Sequence, residues 1–224
     1  MSGLVSSLRV ERPTTTLREL ALEKMRAAIV DAHFHPGERL VERSLCGELG
    51  VSRTVVREVL RHLETEGLVA SLPNQGPIVA TLDADTAAQI YEIRGLLEGD
   101  AAMACASHAS AAVTARLAEC VAQIERAFAA RDHQTVLEQT GRFYEAMFEG
   151  GGKTVAWEIV QTLNARINRL RALTIASDDR GRQAVAEMTR ILEAIAARDP
   201  QRAQAAALAH VRRVAEIAAA QLMK

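Results

Sequence analysis

Two arginines one helical turn apart are the residues of this sequence best suited to recognise a DNA base. They occur in the run SRTVVR at 52–57, where a helix that begins after Ser52 places Arg53 and Arg57 on the same face. A guanidinium offers paired N–H donors that fit the O6 and N7 acceptors of guanine in the major groove. Ser52 and Thr54 are short, so the unpaired backbone N–H groups at the helix start can approach a phosphate. The spacing therefore predicts a DNA-recognition helix.

The alternative interpretation is a solvated helix face whose arginines pair with acidic residues one turn further along. The residues three and four positions beyond Arg53 are Val56 and Arg57, and those beyond Arg57 are Leu60 and Arg61. Neither arginine has an acidic partner at helical spacing in that direction. Pairing within this helix is therefore excluded as their role.

Two further predicted helices and a hairpin would position the recognition helix. Apolar residues at helical spacing predict a first helix over 16–32, and a second over 42–49 that stops at Gly50. Ser52 is a good N-cap for the third helix, which is predicted over 53–66. Residues 38–41 are predicted to be extended, and apolar runs at 68–71 and 77–80 around a turn at 73–76 predict a hairpin. This order of elements is that of a winged helix-turn-helix.

The remaining sequence is rich in Ala, Leu, Glu and Arg and has no strand-like runs. Six helices are predicted, over 84–107, 111–131, 133–149, 153–176, 181–198 and 200–223, with breaks at 150–152 and 177–179. The predicted fold is mainly α: a winged helix-turn-helix domain in residues 1–82, followed by an antiparallel helical bundle in residues 83–224.

Composition and charge limit the classes of protein that this sequence can represent. Hydrophobic residues make up 49% and charged residues 25% of the 224 residues, as in ordinary globular proteins. No apolar run reaches the roughly 18 residues that span a bilayer, and residues 1–12 lack a signal pattern, so we expect a cytoplasmic protein without a membrane partner. Cys46, Cys105 and Cys120 form no C-x-x-C motif and are predicted to be reduced and mostly buried.

A net charge of −1 does not by itself favour nucleic acid binding. Between Arg43 and Arg61, however, four arginines stand against two glutamates. A small, near-neutral winged domain makes few phosphate contacts, so we expect two copies to bind together. The expected assembly is a homodimer on a palindromic operator in double-stranded DNA.

The sequence contains no pattern that indicates an enzyme. Its histidines form no metal-binding or triad arrangement that the predicted fold would bring together, and the glycines at 150–152 follow no predicted strand. We therefore predict no catalytic residues. A purely structural helical adaptor is a further alternative, against which the recognition helix and the hairpin argue.

Residues 37–80 resemble the DNA-binding domain of the GntR family of transcriptional regulators, chiefly through the run GVSRTVVREVLRHLETEGLV at 50–69. The resemblance implies that the hairpin tip enters the minor groove. Many relatives carry Arg where this chain has Gln75. The residues that the resemblance assigns to DNA contact are Arg43, Ser52, Arg53, Thr54 and Arg57, with Gln75 and Gly76 at the hairpin tip.

The helical half resembles the FCD domain of the FadR subfamily, through YEIRGLLEGDAAMACA at 91–106, ILEAIAARDP at 191–200 and ALAHVRRV at 207–214. This resemblance implies a helical pocket for a small acidic metabolite. Many members also hold a divalent metal there through one Asp and three His. This chain has Thr140, Tyr144 and Met188 at three of those positions, and only His210 is retained. Hydroxyl and thioether groups with one imidazole make a poor metal site, so we predict no metal and no other cofactor.

The replaced positions are predicted to form an effector site of a different kind. Hydroxyl, imidazole and guanidinium groups suit a carboxylate or a phenol held by direct hydrogen bonds. The residues assigned to it are Arg94, Thr140, Tyr144, Met188 and His210, with Asn164 and Arg166 of the intervening helix as further candidates. The alternative is a filled core that senses nothing and serves only for dimerisation.

Overall fold

The N-terminal part of the computed structural model is a winged helix-turn-helix, as predicted. The structure describes residues 16–73, 75–175 and 180–223. Asn74 of the predicted turn, the predicted break at 177–179 and residues 1–12 lie outside them. The elements of this part, called here the winged domain, are α1 (Leu17–Val30), α2 (Glu42–Leu49), α3 (Arg53–Thr65), β1 (Val69–Leu72) and β2 (Gly76–Val79).

Local signals in the sequence account for the ends of the winged domain's helices. The Thr16 side chain accepts from the backbone N–H of Glu19, and the Glu19 side chain accepts in return from Thr16, a complete capping box for α1. Gly50 ends α2 in the left-handed conformation, with φ of 65°. The two strands are antiparallel, with Val69 opposite Val79, and Arg39 of the predicted extended segment forms a single bridge to the hairpin.

The C-terminal part is a bundle of helices that agrees with the predicted bounds to within two residues wherever both ends are described. Its members, called here the helical bundle, are α4 (Ala84–His108), α5 (Ala111–Ala130), α6 (His133–Gly150), α7 (Thr154–Ile175), α8 (Arg180–Ala196) and α9 (Pro200–Leu222). α4 packs most extensively against α9, and α5 against α6. Their shared core contains fully buried side chains such as Phe143, Met147, Leu170 and Ile191.

The two parts have separate hydrophobic cores. The core of the winged domain joins α1, α3 and the hairpin through residues such as Met25, Val56 and Leu63, and it takes in one residue of the helical bundle, Ala165 of α7. Cys105 and Cys120 are buried and Cys46 is half-buried, and all three are free thiols. None of the helices in the described part of the chain is long and apolar enough to cross a bilayer.

Candidate functional site

The start of α3 presents polar side chains to solvent on an apolar support. The Ser52 hydroxyl caps the helix by accepting from the backbone N–H of Val55 at 3.4 Å. Arg53 and Arg57 are exposed over 65% and 57% of their side chains, and Thr54 is exposed as well. The opposite face of α3 is buried in the core of the winged domain through Val56, Val59, Leu60 and Leu63. This support holds the arginines outward at one end of a rigid helix.

Glu42, the first residue of α2, binds both arginines of α3, a partner that the sequence analysis missed. Arg57 donates from Nε to both carboxylate oxygens, at 2.9 and 3.0 Å, and Nε of Arg53 lies 3.0 Å from Oε2. The hydrogen bond from Arg57 holds the pKa of Glu42 below its ordinary value. The arginines have no acidic partner within α3, as predicted, but they are not unpaired. Both contacts use Nε, so the outer Nη1 and Nη2 groups remain available to another partner.

Arg43 and the hairpin tip flank the start of α3 in sequence and lie at the surface. Arg43 is the second residue of α2 and is exposed. Gln75 is exposed at the tip, where its backbone N–H donates to the Leu72 carbonyl at 3.2 Å. Gly76 has φ of 78°, a conformation that glycine adopts without strain.

A cavity of about 40 Å³ lies inside the helical bundle and includes four of the five residues assigned to the effector. Arg94, Thr140, Met188 and His210 all line it. Tyr144 is fully buried but lies behind this wall, where its hydroxyl accepts from Nη2 of Arg94 at 3.5 Å. The apolar part of the wall is formed by Ile124, Phe128, Val136, Ile175, Ala184, Val214 and the Met188 side chain.

Two buried ion pairs next to the cavity were not identified from the sequence. Arg94 donates to Glu98 at 2.6 and 3.2 Å within α4. Arg180, which lines the cavity, donates to Glu187 at 3.0 and 2.9 Å within α8. The spacing of four residues between Arg94 and Glu98 was a visible signal for the first pair. The second pair spans two turns and depends on how α8 packs.

Among the residues that the structure describes, those at the cavity carry more positive than negative charge. Arg171 of α7 lines the cavity with its guanidinium 5.0 Å from the ring centre of Tyr144, and it forms no ion pair within the described residues. Burial and, to a smaller extent, the nearby charge of Arg94 lower the pKa of Arg171 to about 10. Nη1 of Arg94 is buried without a hydrogen-bond partner in the described part of the chain. Arg171 donates from Nη1 to Oδ1 of Asn168 at 3.0 Å, but this amide does not neutralise its charge. A buried positive charge without an ionic partner costs free energy that an anion can recover.

His210 also lines the cavity and is held by a hydrogen bond with Glu187. Burial lowers the pKa of His210 below 6.5, and the hydrogen bond with Glu187 offsets this only in part. Burial would raise the pKa of Glu187, but the hydrogen bonds from His210 and Arg180 outweigh it and lower the pKa to about 2. At neutral pH the imidazole is therefore neutral and donates from Nδ1 to Oε2 of Glu187, at 2.7 Å, which leaves Nε2 unprotonated.

The residues of this cavity do not fit a divalent metal. Within the described residues, no three His, Cys, Asp or Glu side chains are close enough together to hold one. The positions at which the resemblance implies metal ligands instead share the cavity with the guanidiniums of Arg94, Arg171 and Arg180. Glu98 and Glu187 neutralise two of these guanidiniums, and the positive charge that remains among the described residues opposes a metal cation electrostatically.

The further candidates on α7 lie outside the cavity, which corrects that part of the sequence analysis. Arg166 points to the winged domain, where its Nε donates to the carbonyl of Glu66 at 3.1 Å. Asn164 lines a surface groove with Glu23 of α1 and Glu145 of α6. Helical periodicity alone did not distinguish the face of α7 that contacts the winged domain from the face that lines the cavity.

Comparison with known protein families gives two matches that together cover most of the chain. Residues 17–79 match the family described as bacterial regulatory proteins, gntR family, and residues 89–213 match the FCD domain. The Nta operon transcriptional regulator of Aminobacter aminovorans is 44% identical over 77 residues, which are 34% of this chain and 37% of that protein. The uncharacterized HTH-type transcriptional regulator YdhC of Bacillus subtilis is 25% identical over 92% of both chains.

Solved structures share the fold over nearly the whole chain. The structure of E. coli McbR/YncC has a TM-score of 0.78 at 20% identity and covers 93% of this chain and 99% of that one. A putative GntR transcriptional regulator from Rhodococcus sp. RHA1 has a TM-score of 0.71 at 24% identity, over 93% of this chain and 98% of that one. The arrangement of a winged domain followed by a helical bundle is thus shared with regulators of this type.

Proposed function

We propose how DNA recognition and effector binding are divided within this chain, which belongs to the GntR family of bacterial regulatory proteins and contains an FCD domain. It is a DNA-binding transcriptional regulator, and regulators of this kind are generally not enzymes. In our proposal, residues 1–82 recognise a palindromic operator as part of a homodimer. Residues 83–224 bind a small organic anion that alters operator affinity.

The proposed DNA contacts centre on the start of α3. Arg53 and Arg57 are exposed and oriented through Nε by Glu42, which leaves the paired Nη groups facing outward for guanine. Ser52 and Thr54 border the backbone N–H groups that suit a phosphate. Arg43 supplies a further exposed cation, and Gln75 and Gly76 at the hairpin tip are assigned to the minor groove.

The proposed homodimer is supported by apolar side chains exposed on α4 and α9. Leu96 is exposed over 74% of its surface, and Ile93 and Leu208 are also exposed. Exposed apolar residues that lie close together on a folded protein mark an interaction surface. A second copy bound there would place two recognition helices on one duplex, as a palindromic operator requires.

The observation that carries the effector proposal is the surplus guanidinium in the cavity. Glu98 and Glu187 neutralise two of the three guanidiniums, and His210 is neutral, so one positive charge is left among the described residues. A single carboxylate satisfies it, bound by Arg171 and by the unpartnered Nη1 of Arg94. The apolar wall favours an uncharged, apolar body for the same molecule. The effector class we propose is an apolar monocarboxylate.

Cavity size favours an effector that changes the bundle when it binds. About 40 Å³ corresponds to roughly one or two water molecules, so a carboxylate group is about the largest group that fits without movement. A larger acid has to displace side chains or helices, which gives it different affinities for two arrangements of the protein. That difference is the requirement for shifting a conformational equilibrium. The alternative is a dimerisation core that senses nothing, with which the same small volume is also compatible.

Calorimetric titration of the full chain with three matched probes separates these alternatives. Benzoate carries one charge, benzamide has a similar shape without charge, and phthalate carries two charges. We expect benzoate to bind, benzamide not to bind and phthalate to bind more weakly, and we expect Arg171→Met to abolish benzoate binding. Arg116→Met, at an exposed position on α5, is the control. Equal binding of benzamide and benzoate contradicts the anion site, and binding of none of the three supports the non-sensing core.

A further inference from the structure

One helix, α7, belongs to both hydrophobic cores of the protein. Ala165 is buried in the core of the winged domain, together with residues of α1 and α3. Ile167 and Leu170, two and five residues later, are fully buried in the core of the helical bundle. Because both faces are enclosed over the same two turns, this part of α7 cannot move without disturbing one core or the other.

Two arginines of α7 bind backbone carbonyls at the ends of the two recognition elements. Nε of Arg166 donates to the carbonyl of Glu66, the residue that ends α3. Nη1 of Arg169 donates to the carbonyl of Ala80, the residue directly after β2. The carbonyls at a helix C-terminus carry partial negative charge, so a guanidinium is favourable at the end of α3. The recognition helix and the hairpin are thus each attached to α7 by one guanidinium.

The contact at the end of α3 requires a glycine. A Cβ at Gly67 would lie 2.1 Å from Nε of Arg166, and the φ of Gly67 is 71°, which also favours glycine. By contrast, a cleft of about 640 Å³ opens nearby between the two parts, lined by Ile29 of α1, Leu82 and Leu173 among others. Arg169 also lines this cleft, so the interface beside its contact with Ala80 is open.

The same stretch of α7 reaches the anion cavity. Arg171 lines the cavity and lies two residues after Arg169 and five after Arg166. We infer that Arg166 and Arg169 are positioning residues that transmit the state of the cavity at Arg171 to the recognition helix and the hairpin. This inference rests on the proposed function, since it states how occupancy of that site regulates operator binding.

The hydrogen-bonded backbone of α7 provides the mechanical link. A displacement of Arg171 toward or away from an anion moves a helical segment that is stiff over one or two turns. The attached carbonyls of Glu66 and Ala80 then move with it, and they set the orientation of α3 and the hairpin. The linker at 81–83 is a second, covalent connection between the two parts, and it contains no arginine.

A double-mutant cycle on the full chain tests the inference without an effector. The probe is the tightest-binding duplex selected from a random-sequence library by the wild-type protein. Operator affinity is measured for Arg171→Met in the wild-type background and in the Arg166→Ala/Arg169→Ala background. We expect Arg171→Met to change the Kd at least about fivefold, the lower end of ordinary allosteric couplings, in the wild-type background. In the Arg166→Ala/Arg169→Ala background we expect the change to be under about twofold.

Two further variants serve as controls for the double-mutant cycle. Gln161→Ala, at an exposed position on α7, should leave the effect of Arg171→Met unchanged. If the double arginine variant fails to fold, Gly67→Ala disrupts the same contact from the winged domain. An Arg171→Met effect of equal size in both backgrounds, or no effect in either, overturns the inference. Failure of the proposed DNA-recognition role is distinct, because the wild-type protein would then select no preferred duplex.

Discussion

Glu42 accepts hydrogen bonds from Nε of Arg57 through both of its carboxylate oxygens, at 2.9 and 3.0 Å. It binds Arg53 through Nε as well. An acidic residue directly beside the proposed DNA contacts repels phosphate, so its contribution has to be orientation. By occupying Nε it fixes the plane of each guanidinium and directs the paired outer groups away from the protein.

Replacing Glu42 by Gln should therefore lower the specificity of DNA binding more than its strength. The substitution removes a negative charge and should strengthen binding to random duplex, while the less ordered arginines bind the selected operator less well. We expect the ratio of specific to non-specific affinity to fall severalfold in fluorescence anisotropy titrations at fixed salt. Glu48→Gln, on the same helix but bonded to Ser44, is the matched control. A ratio unchanged in Glu42→Gln would show that the ion pairs do not orient the arginines.

Leu96 should be required for assembly. A charge on the exposed face of α4 would have to be desolvated on dimerisation, so Leu96→Glu should yield a monomer in light scattering and weaken operator binding. Leu20→Glu, at an exposed apolar position on α1, should remain dimeric. If Leu96→Glu stays dimeric, the interface lies on another surface.

Stability should not depend on a transition metal. The guanidiniums and the single imidazole of the cavity provide no ligand set for one. Dialysis against EDTA should therefore leave the Tm unchanged, whereas proteins stabilised by a bound metal lose that binding energy. A drop of several degrees, restored by one equivalent of zinc, nickel or manganese, would contradict this account of the cavity.

Acidification should destabilise the helical bundle through Glu187 and His210. The folded-state pKa of Glu187 is lowered to about 2, so its contribution is complete above its ordinary pKa of 4.5 and is lost as the pH falls toward 2. The pKa of His210 is also lowered, so protonation opposes folding as the pH falls below 6.5. Each group adds a slope of up to about 1.4 kcal/mol per pH unit to the free energy of unfolding.

Glu187→Gln separates the contribution of the carboxylate. It leaves the buried Arg180 unpaired, so we expect a loss of about 3–5 kcal/mol at pH 7 in denaturant unfolding. The difference from wild type should shrink as the pH falls from 4.5 toward 2, since the carboxyl of the unfolded chain is protonated in this range while that of the folded protein is still ionised. Glu158→Gln, at an exposed position on α7, is the control. A difference that stays constant from pH 7 to pH 3 would show that the ionised form of Glu187 contributes nothing.

Local signals in the sequence predicted the helices and strands. The predicted helix end was wrong where a residue other than glycine follows the helix in the left-handed conformation. The ends at Gly50 and at Asp199 followed from the left-handed glycine and from the N-cap before Pro200. The predicted end of α8 was two residues too late, because Arg198 adopts a φ of 55° without being glycine. Its guanidinium donates to the carbonyls of Ser107 and Ala109, a tertiary contact that no local pattern reveals.

Of the residues at the candidate sites, some were predicted from the sequence and others were missed. Arg94, Thr140, Met188 and His210 were assigned through a resemblance, and the structure brings all four to one cavity. Arg171 and Arg180 were missed because their roles depend on how α7 and α8 pack against α4 and α9. Glu42 was missed because its partners lie 11 and 15 residues away on another helix. Side chains that meet across elements are not visible in the periodicity of either element.

The central claim, that α3 recognises a specific base sequence, is tested most directly by selecting duplexes from a random library with wild-type, Arg53→Ala and Arg61→Ala protein. Arg61 lies on the same helix two turns from Arg53 and is exposed, which makes it the matched control. The account predicts a palindromic selected sequence for the wild type and for Arg61→Ala. It predicts that Arg53→Ala loses, by about tenfold or more, the preference for one base in each half-site. Identical selected sequences for all three proteins would contradict it.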